Sequence, residues 1–176
     1  MQGYKDYISD LAKNEKPVVF FNSGPDHAAL VMENIFRYTD KKIKIFAGNL
    51  SGKVSNQDNY KAGIMDLWER GGNFQILLQS HKLTELAEDP PLFKLLRYFK
   101  SVRPESVEIK KDAIKVVDGD NEIHFTTGDG KMYRIENNTD SYSATGNFND
   151  PVTVEKLNNL FDSLFIKADS IELQIG

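Results

Sequence analysis

The side chains best equipped for chemistry fall in one stretch of a 176-residue chain: His124, Thr126, Asp129 and Lys131, then Thr145 and Asn147 beyond a polar connection. An imidazole can act as a nucleophile or carry a proton, an ammonium can hold negative charge, and a carboxylate can orient the imidazole. The reactive reading of these residue types is therefore a nucleophilic or acid–base site around His124. The plainer reading is a half-buried strand histidine bonded to a neighbour, because three scattered histidines (His27, His81 and His124) need no catalytic explanation. Asn147 has its own plain reading as a turn-former that bonds its backbone ahead of Asn149-Asp150-Pro151.

The local pattern says how these residues are presented. Ile123 and Phe125 precede Gly128-Asp129-Gly130, and Met132, Tyr133 and Ile135 follow it. Apolar strand formers around a Gly-Asp-Gly turn predict a β-hairpin. Strand periodicity puts His124 and Thr126 on one face and Ile123 and Phe125 on the other.

A histidine on a late strand, a tight turn and a small-small-x-Asn element before the last helix together resemble the phospholipase D-like superfamily. That family's motif is His-x-Lys-x-x-x-x-Asp followed by Gly-Ser-x-Asn. His124 matches the histidine, and Ala144-Thr145-Gly146-Asn147 resembles the second element. Thr126 stands in the lysine position and Lys131 in the aspartate position, while the nearest carboxylate, Asp129, comes two residues early. The resemblance, which spans 17–168, implies one half of the phospholipase D-like fold and a phosphate-containing ligand. Since that family builds its cleft from two copies, it also implies a homodimer with the two His124 hairpins toward the axis.

Composition narrows the rest. The length and 40% hydrophobic content fit one domain over 1–176. No run approaches the roughly 18 apolar residues of a membrane helix, and the first residues lack a basic-then-apolar leader, so the expectation is a cytoplasmic protein without a membrane segment. Zero cysteines excludes disulfides, thiolate catalysis and Cys-ligated metals, and the three histidines lack metal-ligand spacing; no metal or cofactor is expected. The net charge of −4 argues against general nucleic-acid binding. A local excess of seven basic residues over three acids spans 90–116, with Lys94, Arg97 and Lys100 off the apolar stripe. No aromatics interleave with them, so this face predicts weak, salt-dependent contact with nucleic acid at most.

Along the chain, apolar spacing predicts an amphipathic helix over 1–16 that docks on the domain. Val18-Val19-Phe20-Phe21 reads as a central strand buried on both faces, and Asn22-Ser23-Gly24 as the turn after it. Helices are expected at 27–38 and 59–70, and from Leu92 to Val102, with strands at 42–47 and 73–79; such crossovers require parallel strands. The loop Gly48-Asn49-Leu50-Ser51-Gly52-Lys53 is one residue short of a phosphate loop, and Val54 replaces its hydroxyl. From Ser106 the period alternates, predicting a β-meander, then a helix over 152–168 and a tail strand with Ile171, Leu173 and Ile175 on one face.

The expected architecture is thus α/β: a mixed sheet with helices on both faces, β-α-β-α-β-α followed by a β-meander and a C-terminal helix. A doubly wound domain with a β-extension is the rival, its crevice near Ser23-Gly24 and Gly48-Asn49. Asn22, Ser23, Gly24, Thr126 and Thr145 are the candidate ligand contacts, and His124, Asp129, Lys131 and Asn147 the candidate catalytic set. Three functions stay open: a catalytically impaired domain used for binding or regulation; a phosphodiesterase or nuclease with a rearranged site around His124; and a small adaptor or antagonist pairing with a protein partner through its tail strand.

Overall fold

A computed structural model of the chain describes residues 2–50, 52–79, 90–171 and 173. The described residues form five α-helices, one short 3-10 turn and ten strands. Helix α1 (Gln2–Lys13) leads to β1 (Phe20–Asn22), α2 (Pro25–Tyr38), β2 (Lys42–Ala47), α3 (Asp58–Glu69), β3 (Asn73–Leu78), α4 (Pro91–Val102) and β4 (Val107–Lys111). A two-stranded ribbon, β5 (Val117–Asp118) with β6 (Asn121–Glu122), precedes the meander β7 (His124–Gly128), β8 (Met132–Asn138) and β9 (Ser143–Asn147). Helix α5 (Pro151–Phe165) and a short β10 (Asp169–Ser170) follow.

Eight strands make one mixed sheet in the order β1-β9-β8-β7-β2-β3-β4-β10. The strands β2, β3 and β4 are parallel, and the meander strands β7, β8 and β9 run antiparallel beside them. One face is covered by α1 to α4 over a core that includes Ile8, Phe36, Tyr60, Ile76 and Leu96. The other face carries α5, whose Val154, Leu157 and Phe161 pack on Phe46, Leu77 and Phe125. Asp150 caps α5 by accepting from the Thr153 N–H (3.0 Å), and Pro151 fills its first turn. Helices α2 and α3 approach closely because position 63 is glycine: a Cβ there would lie 3.1 Å from Glu33 Cα. Among the described residues, no helix is long and apolar enough to cross a membrane.

Two strands differ from the sequence expectation. The first strand is an edge, paired only with β9 and antiparallel to it, and Phe21 is 69% exposed. Its apolar run is one residue deep on the core side: Phe20 points inward and stacks on Phe148 at 4.9 Å, while Val18, Val19 and Phe21 face outward. The fourth strand belongs to the parallel half, so the meander begins only at β7. The described part of the tail is covered by its own chain, since β10 pairs antiparallel with β4 and Ile171 and Leu173 pack on the core. Ile175 lies outside the described residues, as does His81.

The hairpin turn explains where Asp129 and Lys131 go. Asp129 (φ 48°) and Gly130 (φ 74°) both take left-handed conformations, and Lys131 N–H closes the turn on the Gly128 carbonyl at 3.1 Å. The Asp129 carboxylate then accepts the backbone N–H groups of Asp40, of Lys41 (2.9 Å) and of Lys42 (3.0 Å). It staples the hairpin to the start of β2. Gly128 is required by space, for a Cβ there would sit 2.3 Å from the buried Thr39 hydroxyl.

Asp129→Ala strands three backbone donors and should lower stability by about 1–2 kcal/mol in urea titration at an unchanged m-value. A loss below about 0.3 kcal/mol would mean that water serves those amides equally well.

Candidate functional site

The hairpin register assembles the site. Gly128 pairs with Met132, Thr126 with Arg134 and His124 with Glu136, so two charged side chains stand beside the histidine on the face under α2 and α3. Across β9 the rows continue to Ala144 and Gly146, and on β1 to Asn22 and Phe20. On β9, Gly146 leaves room for the Phe20 ring, where a Cβ would lie 2.4 Å from it.

Arg134 and Glu136 form a buried ion pair, Nη1 to Oε2 at 2.8 Å. Arg134 also donates from Nε to Asn22 Oδ1 (3.1 Å) and from Nη2 to the Tyr142 carbonyl (3.1 Å). Asn22 closes the group by donating to the same carbonyl (3.0 Å). The Glu136 carboxyl is pushed up by burial, but the adjacent His124 ring and Arg134 guanidinium outweigh this and hold it below the usual carboxylate range. The pair is thus a fixed, internally neutralised dipole.

His124 enters this cluster from the strand end. Its Nδ1 lies 3.7 Å from Glu136 Oε1, and its Nε2 lies 2.8 Å from Gln79 Oε1 and 3.7 Å from Glu122 Oε1. The Gln79 amide is oriented by its other end, which donates from Nε2 to the Ile114 carbonyl at 3.2 Å. Its oxygen therefore faces the ring, and Nε2 of His124 must carry the hydrogen. Glu122 is itself engaged by Lys115 (3.0 Å), the main cause of its lowered pKa. The ring lies against Gly48, where a Cβ would meet Cε1 at 3.3 Å.

These groups open into a pocket of about 210 Å³ at the carboxyl end of β2. Its polar lining includes His124, Thr126, Arg134, Glu136 and Tyr60; Met32, Ile45, Leu50 and Val54 line its apolar side. Tyr60, carried by α3, is 2% exposed, and its hydroxyl has no hydrogen-bond partner among the described residues. Burial drives its pKa well above the ordinary tyrosine value, so the phenol keeps its proton.

The candidates drawn from sequence are thereby divided. His124 and Thr126 line the pocket, and Asn22 supports it through Arg134. Ser23 accepts from the Ser143 hydroxyl (3.1 Å) in an exposed turn, and Gly24 (φ 82°) binds the Ser141 carbonyl and precedes α2. Asp129 and Lys131 lie past the far end of β7, whose four residue steps span about 13 Å. Lys131 pairs there with Glu15 at 2.6 Å. Thr145 and Asn147 belong to the opposite face of the sheet, in the row series of Tyr133 and Ile135, and Asn147 Oδ1 accepts from the Asn149 N–H (2.8 Å). The structure does not bring these four to His124. It brings instead Arg134, Glu136, Tyr60 and Gln79. The first two were available from the turn, since pairing outward from Gly128 and Met132 puts position 136 opposite 124. The last two arrive through long-range packing, for which a single sequence carries no signal.

Neither a family model nor a curated protein matches the chain. Solved structures do. The chain is similar to TrmBL2, described as an archaeal chromatin protein with a novel mode of DNA binding, at 14% identity and TM-score 0.62, over 97% of this chain and 62% of that one. It is similar to Nuc, a phospholipase D family member from Salmonella typhimurium, at 10% identity and TM-score 0.62, over 89% and 99%. NucT from Helicobacter pylori gives 11% identity and TM-score 0.57, over 88% and 99%. At these identities the likeness speaks for the backbone arrangement and not for the chemistry, and on that footing the chain has a phospholipase D-like fold.

Proposed function

We propose that this phospholipase D-like domain binds a ligand in the His124 pocket without cleaving it, and so serves as a binding or regulatory protein. The observation that carries this reading is the Gln79 oxygen 2.8 Å from Nε2 of His124. Attack on phosphorus needs a nitrogen lone pair free to point at it. Here Nε2 bears its hydrogen toward Gln79, and Nδ1 faces the Glu136 carboxylate.

Among the described residues that line the pocket, none offers an uncommitted cation for charge neutralisation. Thr126 brings a hydroxyl where a cation would stabilise the phosphoryl oxygens, and Arg134 is committed to Glu136, Asn22 and the Tyr142 carbonyl. Asp129 and Lys131, which a rearranged phosphodiesterase would use, are held at the other end of the hairpin by the β2 amides and by Glu15. The adaptor reading has less support than the binding reading, since the described start of the tail, Asp169 and Ser170, already pairs with β4. A homodimer belongs to the same proposal, resting on the resemblance to a family that builds its cleft from two copies of the fold.

With bis(4-nitrophenyl) phosphate as substrate, wild-type protein and Thr126→Lys should show no hydrolysis above buffer. Turnover that disappears in His124→Ala would overturn the binding reading.

The pH dependence of stability follows from Glu136. Its native pKa lies below the unfolded value, so the ion pair contributes fully above about pH 4.3 and fades as pH falls through the lower native value. Glu136→Gln should lower stability at pH 7 by about 2–4 kcal/mol, by leaving the guanidinium unbalanced, and should flatten the acid limb. Parallel acid limbs in urea titrations of variant and wild type would contradict this.

Light scattering at micromolar concentration should give twice the 20.0 kDa chain mass. A monomer mass at all concentrations up to 100 μM would remove the dimer.

A further inference from the structure

The pocket states what kind of ligand it suits, if it is the binding site proposed above. Its volume of about 210 Å³ corresponds to roughly seven waters, space for a molecule of about ten heavy atoms. Its two central charges cancel one another at 2.8 Å. An anion would confront the ionised Glu136 and would have to draw Arg134 away from three partners; a cation would confront Arg134 and the Nε2–H edge of His124. Either would separate a buried ion pair, which leaves a charge uncompensated.

What the pocket has to offer is uncharged. The Tyr60 hydroxyl is buried, lines the pocket and lacks a partner among the described residues. A buried hydroxyl is costly to leave unpaired, and as a phenol it can both donate and accept. Thr126, 5% exposed and lining the same pocket from β7, makes no side-chain hydrogen bond among the described residues. Met32, Ile45, Leu50 and Val54 add hydrocarbon to the same lining, with Ile45 directly beside Thr126 in the cross-strand register. We propose that the His124 pocket binds an uncharged small molecule that presents a hydroxyl to Tyr60 and Thr126 and a hydrocarbon face to Met32, Ile45, Leu50 and Val54.

A matched set of probes tests this: cyclohexanol, cyclohexylammonium and cyclohexyl phosphate, which share a ring and differ in charge. Each is titrated into full-length protein with ¹³C-methyl methionine, and the Met32 signal, assigned through Met32→Leu, is followed. Cyclohexanol should shift it saturably, at least tenfold more tightly than either ion, and Tyr60→Phe should weaken that binding at least fivefold. Because Tyr60 has no partner to lose among the described residues, Tyr60→Phe without probe should melt at or above the wild-type temperature, whereas a structural hydroxyl would give a lower one. Thr126→Val should weaken cyclohexanol binding while leaving the ring contacts in place. Tighter binding of cyclohexyl phosphate, no saturable shift with cyclohexanol, or an unchanged affinity in Tyr60→Phe would each overturn the proposal. Cyclohexyl phosphate bound without hydrolysis would sink this ligand class and leave the non-cleaving reading standing; His124-dependent hydrolysis would sink that reading, with cyclohexanol affinity judged separately.

Discussion

The buried pair of Arg134 and Glu136 is the interaction on which the site depends. One guanidinium reaches Asn22 on β1, Glu136 on its own strand β8 and the Tyr142 carbonyl in the β8–β9 loop, so it ties the outer half of the sheet to the strand beside His124. Two ions taken out of water are stable only when their remaining hydrogen-bonding capacity is met, and this pair meets it with Asn22, Tyr142 and the His124 edge. The consequence is a polar floor that is rigid and has no net charge to spend on an incoming group. A free lysine on such a floor would make a phosphate site; a guanidinium with three partners makes a scaffold.

Around this scaffold, the hairpin separates two jobs that the sequence presents together. Its turn end is structural: the Asp129 carboxylate satisfies the amides that open β2, and Lys131 reaches Glu15 near the end of α1. Its other end is where Gly48 lets the histidine ring approach the β2 loop and where Gln79, just beyond β3, meets the ring. The parallel strands β2 and β3 both deliver backbone to this edge, which is where open α/β sheets hold ligands. Gly48, Asn49, Leu50 and Gly52 contribute lining, and no helix begins directly after them as a phosphate loop would need, since α3 starts only at Asp58.

Much of the fold was legible because it rests on local pattern: the Gly-Asp-Gly hairpin, the Asp150-Pro151 start of α5, and the amphipathic stripes of α2 to α4. The first strand was not, because Val18-Val19-Phe20-Phe21 has the composition of a central strand and only the tertiary pairing leaves Phe21 outside. The site was half legible. His124 and Thr126 could be placed on one face by counting, and Glu136 by counting back across the turn, yet Asp129 stood as a catalytic partner only as the carboxylate nearest the motif's aspartate position. That a carboxylate at a turn tip will be taken by three neighbouring amides depends on β2 arriving beside it, 87 residues earlier in the chain. Tyr60 and Gln79 are invisible for the same reason.

The account turns on which nitrogen of His124 is occupied. Long-range ¹H–¹⁵N correlation of the imidazole at neutral pH reports this directly. The structure requires a hydrogen on Nε2, held by Gln79, in wild-type protein and a change in that signal in Gln79→Ala. A neutral ring with its hydrogen on Nδ1 and a bare Nε2 would contradict the account, for His124 would then be a nucleophile free to react.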